Sequence, residues 1–481
     1  MSHENMSLKK AAFINAVSRY TNVITQLGFS MILARILTPD DYGIVAITAV
    51  FTAFFGILSD LGISSGIIQD KTLTRDEVNG IFHFSLGLSL LLGVLFALFS
   101  WPMAAFYGRD VLVPLGWLLA VSLFFSTLNM VPNALLMKDR QFILIARRNV
   151  IIPIITSVLT VAMALAGWKY YALVLQSVLA AAITFGVNFY SSHRRYGLAF
   201  TRTRNYQGLR KIFNFSLYQF AFSLVNYFAR NLDNLLIGRV FGTTGLGYYD
   251  KAYRLMTYPS TYLTHVVTPV LQPILSEYQT RKDIIYEKYM VLVKFLSLAG
   301  VFIVVFCFFA AADIIALLYG DQWDAAVPYF QLLALSVWGQ LIMGTTGSIY
   351  ASAGNTRLLF LTGVVTTIMT VVGIVLGIWE GTLYAVARNV AISYIAQFIF
   401  VMWMLVSACL EQSYRHFLRQ LLPEAIMFLV LFAVGFLLQP YLHLTSHLAM
   451  AAIWLLLLGG LYAALCTILR QWHYILIFRK K

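Results

Sequence analysis

The chain has 481 residues, 60% of them hydrophobic and 11% charged, with a mean hydropathy of +0.78. No soluble core of this size needs so apolar a composition, which excludes a soluble globular protein. The formal charge of +14 would point to nucleic acid in a soluble protein, but here the cations are scattered over short connections that form no groove.

What remains is an all-α polytopic membrane protein. Each span needs about 20 apolar residues to cross about 30 Å of hydrocarbon, and the pattern predicts about fourteen spans with almost no length left for a soluble domain. The start, MSHENMSLKK, is polar and leads into a full-length span without a small-residue cleavage site, so no removable signal peptide is expected. The first span, about 12–37, places Asn15, Arg19, Asn22 and Gln26 on one polar stripe of an otherwise lipid-compatible helix. The turn Thr38-Pro39-Asp40-Asp41 leads into a second span to about residue 68, with Asp60 just before Gly62. Spans three to six are predicted at about 80–103, 111–137, 146–168 and 170–192. The basic connection over 193–208 is the longest polar interval. Six further spans follow at about 209–240, 244–276, 285–312, 323–353, 358–379 and 382–409. A final hairpin, about 420–440 and 447–470, has no counterpart in the first half.

The pattern restarts after the basic connection. LARILTPDDYG at 33–43 is echoed by IGRVFGTTGLG at 237–247, each with Gly eight residues after Arg, at an offset of 204 residues. That offset also sets Asn226 on Asn22. Tyr107-Gly108 followed by LLAVS is echoed, at an offset of 214, by Tyr319-Gly320 followed by LLALS. Two echoes in the same order predict a six-helix unit used twice in parallel orientation. The expected organisation is therefore an N-terminal lobe at 1–192, a linker at 193–208, a C-terminal lobe at 209–409 related by a pseudo-two-fold, and an additional hairpin at 410–481. Basic residues collect in alternate connections, densest around Arg194, Arg195, Arg202, Arg204, Arg210 and Lys211, so both termini are expected in the cytoplasm.

Charges inside spans are costly and ordinarily face a bundle interior or a water-filled cavity. The densest set lies at 226–254: Asn226, Arg230 and Asp233 at helical spacing, then Asp250, Lys251 and Arg254. Arg230 with Asp233 and Asp250 with Arg254 can pair along their helices, whereas Lys251 lacks an obvious acid and could instead snorkel to an interface. The embedded cations Arg19, Arg230, Lys251, Arg254 and Arg388 outnumber Asp60, Asp233 and Asp250. A cationic cavity lined by Asn, Gln and Tyr suits an anionic, polyhydroxylated cargo, since guanidinium offers a planar fork to phosphate or carboxylate. The expected substrate-binding set is Arg19, Asn22, Gln26, Asn226, Arg230, Lys251, Arg254 and Arg388, with Asp60, Asp233 and Asp250 as candidates for ion coupling and Glu424 as a weaker one.

No catalytic constellation, Walker motif or metal site is expected, so the protein reads as neither an enzyme nor an ATP-driven pump. His443 and His447 have helical metal spacing without a third ligand, and Cys307, Cys409 and Cys466 read as packing residues.

SMILARILTPDDYGIVAI at 30–47, SDLGISSGIIQ at 59–69 and LYGDQWDAAVPYFQLLALS at 318–336 carry a likeness across nearly the full length. The chain resembles the polysaccharide transporter branch, Wzx-type and colanic acid exporter-like, of the multidrug/oligosaccharidyl-lipid/polysaccharide flippase superfamily. That resemblance implies a multi-pass protein of the bacterial inner membrane that flips an undecaprenyl-diphosphate-linked oligosaccharide to the outer leaflet. It implies alternating access driven by an H+ or Na+ gradient, with no bound cofactor, and polymerase and glycosyltransferases as pathway partners. A peptidoglycan-precursor flippase or a cation-coupled multidrug antiporter of the same fold is the alternative, and a non-transporting scaffold of a glycan assembly complex a second one.

Overall fold

The computed structural model describes residues 8–60, 62–200, 207–209, 227, 231–442 and 444–476. Every regular element among them is helical. In chain order they are α1 (Leu8–Ile36), α2 (Pro39–Asp60), α3 (Ile63–Gln69), α4 (Arg75–Tyr107), α5 (Leu112–Leu128), α6 (Met130–Lys138), α7 (Phe142–Leu165), α8 (Tyr170–Tyr196), α9 (231–240) and α10 (Gly242–Ser276). Then come α11 (Lys282–Phe309), α12 (Ala311–Tyr319), α13 (Val327–Ala334), α14 (Val337–Met343), α15 (Thr346–Ser352), α16 (Thr356–Trp379) and α17 (Leu383–Trp403). The last four are α18 (Tyr414–Gln420), α19 (Leu422–Leu438), α20 (His447–Ile468) and α21 (Trp472–Leu476).

Ten of the described helices or fused helix pairs are long and apolar enough to cross a membrane, or eleven if the run Asp321–Ala334 plus Val337–Ser352, bent by 53°, is one broken span. The three further spans expected from the sequence are the first, seventh and eighth. Only residues 231–240 of the predicted seventh span, with 209 and 227, lie among the described residues. Helices α1 and α10 are long, 29 and 35 residues, but carry the polar residues that lower their hydropathy.

The local ends follow from capping chemistry. Thr38 precedes α2, with Pro39 pre-set for the first helical position; the Asp41 carboxylate accepts from Thr38 N (2.9 Å) and Oγ1 (2.8 Å), while Thr38 Oγ1 accepts from Asp41 N. Thr74 and Glu77 close the same box at α4, which ends on Gly108 with φ 66°.

By packing, the chain divides into two units, Met1–Gly247 and Tyr248–Lys481. In the first, α4 packs on α5, α1 on α7, and α5 and α7 on α8. Its core joins Ile63 and Ile67 to Ile81, Phe82, Leu128 and Val131. Two turns with the echoed sequence meet here. A Cβ added to Gly43 would fall on the Thr243 carbonyl, and one added to Gly247 on the Pro39 carbonyl. At the 204-residue offset Thr243 is the counterpart of Pro39 and Gly247 of Gly43, so the contact is reciprocal. Beside it, the Asp40 carboxylate accepts from Arg109 Nη2 (3.1 Å), Thr244 Oγ1 (3.1 Å) and Thr243 Oγ1.

In the second unit α11 is the central post. Its apolar sides meet α13, α14, α19 and α20. Leu298, Val301, Val305 and Phe309 pack against Met427, Leu431, Trp454 and Leu458 of the α19–α20 hairpin. Gly435 lets α19 sit directly on the Phe309 ring.

Candidate functional site

The charged segment of α10 is built by two different devices. Asp250 and Arg254, one turn apart, pair through Arg254 Nε and Asp250 Oδ2 at 2.7 Å. The Asp250 side chain is 9% exposed, but that of Arg254 is 55% exposed. Lys251 is 3% exposed, and its ammonium stands over the rings of Tyr319 (4.7 Å) and Trp323 (5.5 Å). The snorkelling considered for Lys251 is therefore corrected: the side chain is enclosed by aromatic faces, whose quadrupoles attract a cation. Tyr319 ends α12, and Gly320, with φ 93°, turns the chain so that the fully buried Trp323 comes alongside. Tyr248 meets Trp323 edge-on at 6.0 Å. Tyr253 OH and Tyr394 OH of α17 share a hydrogen bond of 2.7 Å. This set gathers Asp250, Lys251 and Arg254 with aromatic rings and hydroxyls in one unit.

In α1, Arg19 lies on the helix, Gln26 is exposed, and half-buried Asn22 has a buried Oδ1 with no hydrogen-bond partner among the described residues. Asn226 and Arg230 lie outside the described residues. Asp233 on α9 is buried and accepts from Asn234 N (2.8 Å). Asp60 caps α3, accepting from Ser64 N (3.2 Å) and Oγ (2.5 Å). Arg388, near the start of α17, pairs with Glu380 in the preceding turn, which also accepts from Asn389 Nδ2 at 2.8 Å. Those two donors, Asn389 first and Arg388 second, hold the Glu380 carboxyl below the ordinary carboxylate range.

One charged pair joins residues far apart in the sequence. Lys294 of α11 and Glu424 of α19 are both buried and bond at 2.9 Å to each carboxylate oxygen. Lys294 also donates to the Gln420 carbonyl. A carboxylate in the first turn of a hairpin facing a lysine in an apolar helix was the available clue, but the two are 130 residues apart. His447 bonds to Asp313 at 2.8 Å, and His443 lies outside the described residues. Among the described residues no group of three or more His, Cys, Asp or Glu could hold a metal ion.

The chain is 25% identical over 461 residues to the teichuronic acid biosynthesis protein TuaB of Bacillus subtilis (strain 168), covering 94% of this chain and 92% of that protein. It is 24% identical to the lipopolysaccharide biosynthesis protein WzxC of Escherichia coli (strain K12), over 83% of this chain and 82% of that one. The fold matches the lipid II flippase MurJ in an inward closed conformation with a TM-score of 0.73, at 14% identity, over 96% of this chain and 99% of that one. The polysaccharide biosynthesis protein family model matches residues 32–328, more than half of the chain. This multi-pass membrane protein is thus a member of the polysaccharide biosynthesis protein family.

Proposed function

We propose that the protein is a flippase that carries undecaprenyl-diphosphate-linked oligosaccharide repeat units from the cytoplasmic to the outer leaflet of a bacterial inner membrane. The observation that carries this reading is Arg254. It lies twelve residues into α10, about 18 Å along the helix, and keeps more than half of its side chain exposed. A guanidinium at that depth is costly against lipid and is stable facing a water-filled path. Its two terminal nitrogens have no hydrogen-bond partner among the described residues and suit a diphosphate. Family membership supports polysaccharide biosynthesis as the setting, and the likeness of fold to a lipid-linked precursor flippase supports a large amphipathic cargo.

In this reading the protein is a transporter and performs no chemistry on its cargo. Arg19, Gln26, Asn226 and Arg230 are the further residues that the sequence offers to the cargo, and Asn22 Oδ1, which has no hydrogen-bond partner among the described residues, can accept from a sugar hydroxyl. Lys251 contributes positive field from behind its aromatic cover, and Arg388 is held by Glu380. The buried carboxylates Asp233 and Asp250 are the candidates to couple an H+ or Na+ gradient; Asp60 is occupied in capping α3. Polymerase and glycosyltransferases of the same pathway are the expected partners, and both termini face the cytoplasm.

Arg254→Gln tests the proposal. Polymer export should fall to background while the variant inserts at native abundance, and purified protein in liposomes should lose movement of labelled lipid-linked glycan. Normal export by that variant at native abundance removes Arg254 from the path; failure of the wild-type protein to move the glycan removes the flippase reading.

A further inference from the structure

A second chemically distinct place lies in the first unit. A cavity of about 330 Å³ opens where the α3–α4 turn, the end of α6 and the segment after α8 meet, at the small end of the range for ligand pockets. Leu73, Val78, Leu135 and Leu198 form its apolar wall, and Arg75 and Lys138 are its cations. Arg75 Nη2 donates to the Gly197 carbonyl (3.1 Å), and Lys138 Nζ to the Asp70 carbonyl (2.6 Å). Both acceptors are carbonyls, and the Asp70 carboxylate acts on Lys138 through space.

The placement of Arg75 is specific. Gly197 has φ 64°, and a Cβ there would overlap the guanidinium, so the left-handed glycine makes room for the cation. One carboxylate, Asp139, lines the pocket and is held by neutral donors. Asp139 accepts from Tyr196 OH (2.7 Å) and Gln141 Nε2 (3.0 Å). Glu77, next to the pocket, is closed into the cap of α4 by Thr74 N (2.8 Å) and Oγ1 (3.1 Å). Asn79 uses Oδ1 to accept from Ala199 N (3.3 Å), and its Nδ2 has no acceptor among the described residues.

Two cations against one lining carboxylate, with an amide donor, over four aliphatic side chains match a phosphate that carries hydrocarbon. We propose that this pocket binds the phosphate of a membrane lipid. A free phosphate would leave the apolar wall unused, and a nucleic acid needs an extended groove rather than a small pocket. The two sources of such a phosphate are a bulk anionic phospholipid and a polyprenyl diphosphate carrier. Basic clusters at the membrane surface attract either one. The proposal does not depend on transport, because binding is read without it.

The test is native mass spectrometry of the full-length protein extracted from vesicles of phosphatidylglycerol and phosphatidylcholine, repeated with undecaprenyl diphosphate added. The wild type should retain phosphatidylglycerol over phosphatidylcholine. The double variant Arg75→Gln/Lys138→Gln should lose about tenfold in retention, the effect of two charge-assisted hydrogen bonds. Arg75→Lys/Lys138→Arg should keep it, as should Arg415→Gln, which removes an exposed cation elsewhere. Displacement by undecaprenyl diphosphate at equal concentration identifies the carrier as the preferred source, and persistence of phosphatidylglycerol identifies the phospholipid; either supports the site. Unchanged retention in the Gln/Gln variant overturns it, and so does an equal loss in Arg415→Gln. A wild-type protein that flips glycan yet shows no lipid preference sinks this proposal alone.

Discussion

Lys251 and Arg254 sit three residues apart on one helix, and different partners give them different work. Arg254 has a carboxylate one turn away and an exposed fork; Lys251 has two aromatic faces. A desolvated cation over aromatic rings gains about 2 kcal/mol or more, so Trp323→Leu should lower stability by more than its lost packing alone. Thermal unfolding of Trp323→Leu with and without Lys251→Met checks this: the Trp323 effect should shrink in the Lys251→Met background, and equal effects in both would deny the coupling. Glu380 offers a test by pH. Its lowered carboxyl contributes stability that is complete above the ordinary carboxylate range and is lost as pH falls through the lowered folded value. The unfolding temperature of Glu380→Gln should therefore lie below the wild type by a constant margin from pH 7 to about 5 and converge with it only in stronger acid; convergence already at pH 6 would contradict the assigned cause. Of these arrangements the Asp250–Arg254 pair was legible in the sequence, because helical spacing is a local property. The aromatic cover of Lys251 was not, since Tyr319 and Trp323 reach it only through the packing of α12 and the turn after it. The echoed Tyr319-Gly320 was visible as a repeat, without its use being visible.

The helices divide into those that supply bulk and those that carry polar residues. Span positions were readable from hydropathy because lipid imposes an apolar run of fixed length. The polar helices α1 and α10 were readable from their stripes, which also keep them from the set of ten apolar spans. The attachment of the C-terminal hairpin was half readable: its two apolar runs were evident, but not the Lys294–Glu424 bond that joins α19 to α11 across 130 residues. Removing one partner of a buried ion pair leaves an uncompensated charge and costs about 3–5 kcal/mol. Glu424→Leu and Lys294→Met should each destabilise by that order, whereas the double variant should recover most of the loss, since a packed apolar pair replaces a packed charged pair. Urea or thermal unfolding in detergent measures the three; a double variant as unstable as the sum of the singles would mean that the bond to the Gln420 carbonyl carries the effect instead.

At the scale of the molecule, the all-helical membrane fold follows from composition, and the orientation proposed for it follows from where basic residues gather. That orientation has its own test. A cysteine placed at Lys480 should resist a membrane-impermeant thiol reagent in intact cells and react after permeabilisation, and one at Leu444 should react in both. Reaction at position 480 in intact cells would reverse the topology. The reciprocal contact of Gly43 and Gly247 has a consequence of another kind. Each echoed segment holds both halves of a lock: a notch without a side chain and, four residues earlier, the carbonyl that fills its counterpart's notch. Such a segment is complementary to itself, as surfaces are across a two-fold axis. A single copy already contains all that is needed to clasp a second copy, and a chain holding both copies clasps itself.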